Sequence, residues 1–386
     1  MNNQKSDLIE RYKIDLEIIR KFPNHLKFAK FQNYDMCLKA LKQDGYALEF
    51  VRWAELGLTK EERYSLCLLA IKNNGKAIKY VNWDKLSKEQ IYNLCLLAVR
   101  DNGIALEFVY NQTEEICLEA VKRNPYALKF VKNQTEEMCL IAVRNRGLTL
   151  EYVKEQTEEI CLEAVTQDGN ALEYVKEQTF ELCIEAVRQD GNALKYVKNQ
   201  LSEICIEAVK QDGRALKDVK EQTEEICIEA VKQDYSALQF VKEQTPEICI
   251  LAVKQNGLAL YWVKKQTEEI CIKSVMQNGM ALQYVVEKTK EICLRALKQN
   301  KHAIKYVKEK GDYLKEFGIR YLEAPEDGSE VIAIKEDGQW LFSIGCQKNI
   351  SVKEFINRIY YENEGFNLEY GTNPHREAYL DFINVI

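Results

Sequence analysis

Catalytic equipment is what this sequence has least of. Three histidines, His25, His302 and His375, are spread over 386 residues. There is no Walker loop, no GxGxxG, no HExxH and no GxSxG, so the usual sequence routes to phosphate cradling, dinucleotide binding, zinc-dependent hydrolysis and an activated serine are missing. No apolar run approaches the ~18–20 residues that a membrane-spanning helix needs. The first residues, MNNQKSDLIERYK, lack the apolar stretch of a signal peptide. Thirteen cysteines without such a signal point to a reducing compartment. The expectation is a cytoplasmic protein, in its own cell or in a host cytosol, with no membrane contact, no cofactor and no enzymatic activity.

Repetition is what the sequence has in abundance. Cysteine falls at 37, 67 and 95 and then every 22 residues from Cys117 to Cys293. Self-similarity at a fixed period of 20–50 residues marks a repeat architecture. Other positions keep the same beat. Three residues after the cysteine comes alanine (Ala120, Ala142, Ala164), with Ser274 the exception, and fourteen after comes valine from Val51 to Val307. Thirteen after comes an aromatic residue (Phe130, Tyr152, Tyr174), except at Asp218. The typical unit opens with Thr and two acids, as at Thr113, Glu114 and Glu115, which suits a helix N-terminus. Apolar residues at Ile116, Cys117, Ala120 and Val121 then make one helical face. A Gly such as Gly169 follows in most units, where a left-handed helix end is expected. A second helix of about two turns, ALKFVKN, closes the unit.

The predicted fold is therefore an all-α repeat solenoid, a right-handed array of helix pairs with two short helices per 22-residue unit, followed by a small α+β module. Residues 1–32 read as a degenerate N-terminal capping repeat, because Asp15, Ile18, Ile19, Leu26, Phe28 and Gln32 hold the expected beats with an acid in the cysteine slot. Residues 33–310 hold twelve repeats. Two of these are longer, and the insertions WAELGLTKEERYSL and WDKLSKEQIYNL carry possible capping boxes, Thr59 with Glu62 and Ser87 with Gln90. Residues 311–386 change texture: three strands, IRYLEA, EVIAIK and WLFSIG, with a hairpin turn at 336–339, a helix capped by Ser351, a loop GFNLEYG and a last helix opened by Asn373-Pro374.

The unit at 156–177, QTEEICLEAVTQDGNALEYVKE, resembles the repeat of the DUF4116 family, a domain of unknown function, and the resemblance runs over 30–310. It implies a helical repeat protein of the sort found in giant viruses, ciliates and some bacteria. It brings no known activity and no catalytic residues.

Three functions remain to be weighed. The cysteines read as small apolar core residues: one thiol per layer and no local CxxC cannot converge on a zinc ion. The solenoid reading favours a non-enzymatic scaffold for a protein or peptide partner. Places where the repeat departs from its pattern are the candidate contacts: Asp218 in an aromatic slot, Tyr235 in the glycine slot, Tyr261 beside Trp262, and the insertion residues Trp53 and Trp83. The second reading is single-stranded nucleic-acid binding along a basic ladder of Lys132, Lys154, Lys176, Lys198, Lys220, Lys242 and Lys264, beside a parallel row of glutamines. Charge argues against it, since the chain carries −6 and a phosphate-tracking surface is basic. The third is thiol chemistry in the C-terminal module from Cys346 with His375.

Overall fold

The computed structural model describes residues 2–324, 328–345, 347–361 and 375–385. The chain divides into two compact units, Met1–Gln211 and Asp212–Ile386. The boundary falls inside the Cys205 repeat, between the α-helix Ser202–Gln211 and the 3-10 helix Gly213–Asp218.

Both units are built from one element, seen clearly at Cys117. The Thr113 side chain accepts a hydrogen bond from the Ile116 amide at 3.3 Å and starts the α-helix Glu114–Arg123. Asn124 then serves both sides of the corner. Its N–H donates to the Ala120 carbonyl at 2.9 Å, ending the helix, and its Oδ1 accepts from the Tyr126 amide at 3.0 Å, starting the next element. That next element is the short second helix expected from the sequence. It is a six-residue 3-10 helix, Pro125–Phe130. A tightly capped corner followed by six residues leaves room for i→i+3 bonds and little else. The same pair recurs from Tyr34–Gln43 with Gly45–Phe50 to Lys290–Gln299 with Lys301–Tyr306. The front of the chain, Asn2–Lys21 followed by Pro23–Phe28, has the same order. The two insertions lengthen the α-helices to fourteen residues, Lys60–Asn73 and Lys88–Asp101, and both capping boxes form.

The glycine after the helix has a different purpose from the one its position suggests. Positive φ occurs at Gly57, Gly318, Gly338 and Gly345, and not in the repeat slot. What the slot requires is absence of a side chain. A Cβ on Gly169 would lie 2.4 Å from the Ala186 carbonyl oxygen of the following repeat, and on Gly257 2.4 Å from that of Ser274. With no Cβ the repeats close up, and the Gly169 amide donates to Gln189 Oε1 at 2.6 Å.

A second glutamine clasps the layers from the other side. Gln178 Nε2 donates to the Tyr196 carbonyl of its own repeat at 2.9 Å and to Leu172 O of the preceding repeat at 3.4 Å. Its Oε1 accepts from the Lys198 amide at 2.9 Å and lies 3.8 Å from Cys183 Sγ. All twelve repeat thiols are buried and free. Burial pushes the Cys37 and Cys67 thiols up to about 12, and those of Cys95, Cys139 and Cys271 to about 11.

After the last repeat comes an additional helix, Gly311–Phe317, closed by Gly318 in the left-handed conformation. The sheet has four antiparallel strands in order, β1 (Ile319–Leu322), β2 (Val331–Glu336), β3 (Gln339–Ile344) and β4 (Gln347–Ser351), one more than the sequence suggests. β4, QKNIS, is polar and short, so it carries no strand pattern of its own. Asp337 and Gly338, both at positive φ, make the two-residue hairpin turn between β2 and β3. Ser351 Oγ accepts from the Glu354 amide at 3.2 Å and starts the helix Val352–Tyr361. One face of the sheet packs its core, Phe342, Phe355, Ile359 and Tyr379, under that helix and the last one, Arg376–Asn384. The GFNLEYG segment and Asn373-Pro374 lie outside the described residues.

The module also touches the last repeat. His302 is half-buried. Its Nε2 lies 2.9 Å from Ser343 Oγ on β3 and its Nδ1 lies 3.2 Å from Asn300 Oδ1. Lys305 pairs with Glu330 at 3.4 Å. The slot glycine is Lys301 here, and with no further repeat stacked on it a side chain can be carried.

Candidate functional site

Thirteen 3-10 helices run through the described residues, and their composition singles out one region. Three consecutive ones, Tyr235–Phe240, Gly257–Trp262 and Gly279–Tyr284, contain no charged residue. Each of the others carries at least one Lys, Arg, Asp or Glu. The neighbours on either side, Gly213–Asp218 and Lys301–Tyr306, are GRALKD and KHAIKY. In the exposed slot just before the aromatic, where Lys217 and Lys305 stand in those neighbours, the three helices have Gln239, Tyr261 and Gln283.

The aromatic rings of this region gather. Tyr235 lies 6.0 Å from Trp262 at 37°, Tyr261 6.0 Å from Trp262 at 72°, and Tyr261 5.2 Å from Tyr284 at 62°. Tyr261 is 66% exposed, and Trp262 and Tyr284 are half-buried. Each ring is turned against the next, so the surface is notched rather than flat. Tyr235 joins the cluster because of the slot it occupies. A side chain in the glycine slot cannot coexist with the close carbonyl contact seen elsewhere. At this joint the helices Glu224–Gln233 and Pro246–Gln255 approach less closely than at glycine joints. Gln255, which would otherwise bind the slot amide, donates to Val231 O at 2.7 Å. The ring comes out beside Trp262. Pro125 opens a joint in the N-terminal unit in the same way, and there Asn145 turns back to Ile141 O at 2.8 Å.

Of the residues singled out from sequence, Tyr235, Tyr261 and Trp262 come together. Tyr284 and the amides of Gln239 and Gln283 belong with them and were missed, because each follows the repeat or is a mild substitution. The readable signal was the run of charge-free 3-10 segments. Asp218 ends the neighbouring 3-10 helix, part-buried, with Lys217 Nζ at 4.0 Å. Trp53 and Trp83 belong to the other unit. Trp53 is half-buried under the Arg63 guanidinium at 5.6 Å, and Trp83 is half-buried in the turn before Ser87.

The lysine ladder is present, but its ammonium groups cap backbone carbonyls 22 residues back. Lys176 donates to Lys154 O at 2.6 Å, Lys198 to Lys176 O at 2.9 Å, Lys242 to Lys220 O at 2.8 Å and Lys264 to Lys242 O at 3.0 Å. Lys132 reaches Tyr110 O at 2.8 Å and Lys154 reaches Lys132 O at 2.5 Å. The glutamine row is engaged in the clasps already described. An open cleft of ≈ 440 Å³ in the N-terminal unit lies along this edge, lined by Lys132, Gln134, Lys154 and Thr157. Cys346 lies outside the described residues. His375 precedes the last helix, its ring 6.4 Å from Tyr379. Among the described residues no group of His, Cys, Asp and Glu could hold a metal ion, and no helix is long and apolar enough to cross a membrane.

The comparisons with known proteins agree with this architecture. The family described as Domain of unknown function (DUF4116) matches at 92–135, 113–157, 135–179, 157–202, 179–223, 223–267 and 267–310, which together span more than half of the chain. The protein is a helical repeat protein and belongs to the DUF4116 family. No curated protein and no solved structure matches it.

Proposed function

We propose that the protein is a non-enzymatic scaffold that holds a protein partner on its 3-10 helical face, with the charge-free aromatic region from Tyr235 to Tyr284 as the contact. One observation carries this reading: three successive 3-10 helices have lost every charge while gaining exposed aromatic area at Tyr261. Repeat stacking does not call for it, because the other units stack with Lys or Glu in the same slot. Aromatic residues that keep an exposed face are the usual anchors of protein interfaces. The lysines and glutamines, by contrast, are bound to backbone groups, which argues against nucleic acid as the partner. Buried free thiols fit a reducing compartment, and the cytosol of the producing cell or of a host is the proposed location.

The test compares quantitative affinity capture by the native protein, by Tyr261→Glu and by Lys217→Glu. The reading predicts a partner lost at least ~10-fold with Tyr261→Glu and retained with Lys217→Glu. Equal recovery by all three would place the contact elsewhere.

A further inference from the structure

We infer that the segment held by the aromatic region is an uncharged, proline-rich stretch in the polyproline II conformation. This rests on the scaffold reading above and names the chemistry of its partner.

The argument starts from charge. The three 3-10 helices carry no charge of their own, with Asp234, Lys242 and Lys264 only flanking them and with Arg214, Lys217, Lys301 and Lys305 on the neighbouring helices, so the rings themselves offer no ion pair to an acidic or basic peptide. An ion buried against it would lose water without gaining a counter-charge. The fitting partner is neutral.

Ring geometry narrows the class. A sugar stacks best on a broad flat ring face. Here the rings meet at 37°, 72° and 62°, leaving notches between Tyr235, Trp262, Tyr261 and Tyr284. Pyrrolidine rings are compact, apolar and edge-shaped, and they dock in aromatic-lined grooves. Spacing agrees. Trp262 and Tyr284 hold the same slot in successive repeats, and packed helices stand ~8–10 Å apart. A polyproline II helix rises ~3.1 Å per residue with three residues per turn, so it presents the same face every ~9 Å. Each turn of the ligand would thus meet one repeat.

Hydrogen bonding completes the fit. Polyproline II has no internal hydrogen bonds, so its carbonyls need donors. The strip is rich in them: the Trp262 indole, the tyrosine hydroxyls, and the amides of Gln239 and Gln283. Those two amides each use one donor on their own 3-10 helix, to Ser236 O at 2.9 Å and to Met280 O at 3.1 Å. A second amide hydrogen remains on each. Because the ligand is already ordered before binding, little conformational entropy opposes docking on a shallow surface.

The experiment titrates full-length protein with decaproline, with a neutral Gly-Ser peptide of equal length and with a chito-oligosaccharide, observing Trp262 emission against a Trp262→Phe control. Saturable binding of decaproline alone, weakened at least ~10-fold by Tyr261→Ala and unchanged by Tyr196→Ala, is the expected result. No saturation by decaproline up to about 1 mM overturns the inference. Saturation by the oligosaccharide alone overturns it in favour of a carbohydrate ligand. Loss of the native partner with Tyr261→Glu, together with no decaproline binding, would retain the scaffold reading and reject only the proline-rich ligand.

Discussion

At the scale of single residues, the repeat is governed by small groups in tight places. The thiols show this best. Their raised pKa values come from burial, so the neutral form is favoured in the folded state. A group whose pKa is raised on folding contributes stability that is complete below its unfolded value and lost as pH climbs through its folded value. The array is therefore expected to hold near neutral pH and to weaken from about 9 upward, through the range of about 11 to 12 set by Cys37, Cys67 and Cys139. Urea midpoints taken at pH 7, 9 and 10.5 will check this; a flat profile would contradict it. The same thiols should resist alkylation at neutral pH until denaturant is added. Glutamine is the second governing residue. Gln178→Ala leaves the Tyr196 carbonyl and the Lys198 amide without their partner at a layer junction. The first is part-buried and the second exposed, so the expected cost is about 1 kcal/mol, at the low end of the range for stranded polar groups, read as a shift in urea unfolding.

At the scale of elements, the helix pair was legible in the sequence and its detail was not. The 22-residue beat, the Thr caps and the apolar face gave the α-helix, and the capping boxes at Thr59 and Ser87 gave the two long ones. The 3-10 geometry of the second helix was hidden, because ALKFVKN has ordinary helical propensity and the constraint is spatial. The glycine misled for the same reason. A residue chosen for what it lacks looks the same in sequence whether it frees φ or clears room for a neighbour. Tyr261 and Trp262 stood out as departures, but their meeting with Tyr235 and Tyr284 depends on a contact across repeats that spacing alone does not supply. Gly169→Ala tests the clearance. Its methyl would meet the Ala186 carbonyl at 2.4 Å, and about 1–3 kcal/mol of destabilisation is expected from such overpacking. Gly311→Ala, where a Cβ meets nothing within 4 Å, is the control. The contact of the C-terminal module with the last repeat has its own test. Burial, and then Lys348, hold the His302 imidazole below its ordinary value. A depressed histidine contributes stability above its unfolded value and loses it as pH falls through the folded one. Amide exchange in 331–351 should therefore quicken relative to the repeats as pH drops below about 6.5, after correction for intrinsic rates, and His302→Gln should flatten that response.

At the scale of the whole molecule, stability is held between neighbours and not in a common core. Within each compact unit, Gly, Gln and Lys all bond to the adjacent layer. Stability in such arrays is a sum of unit and nearest-neighbour terms. Damage should stay local. Exchange measured by mass spectrometry on Gly169→Ala should rise in the Cys161 and Cys183 repeats and remain unchanged in the sheet of the C-terminal module. A uniform rise across the chain would show a cooperativity that this layered build does not provide.

The glycine joint carries one more consequence, and it concerns how the chain finds its partner layers. When units are nearly identical, a pairing that skips one unit offers the same absent methyl, the same clasp and the same carbonyl caps as the correct one. The register is close to degenerate during folding. Tyr235 and Pro125, which will not seat against an unmodified joint, and the two long insertions, which fit only their own neighbours, act as landmarks in an otherwise uniform ruler. They turn a sequence that could slide along itself into one with a single place for each layer.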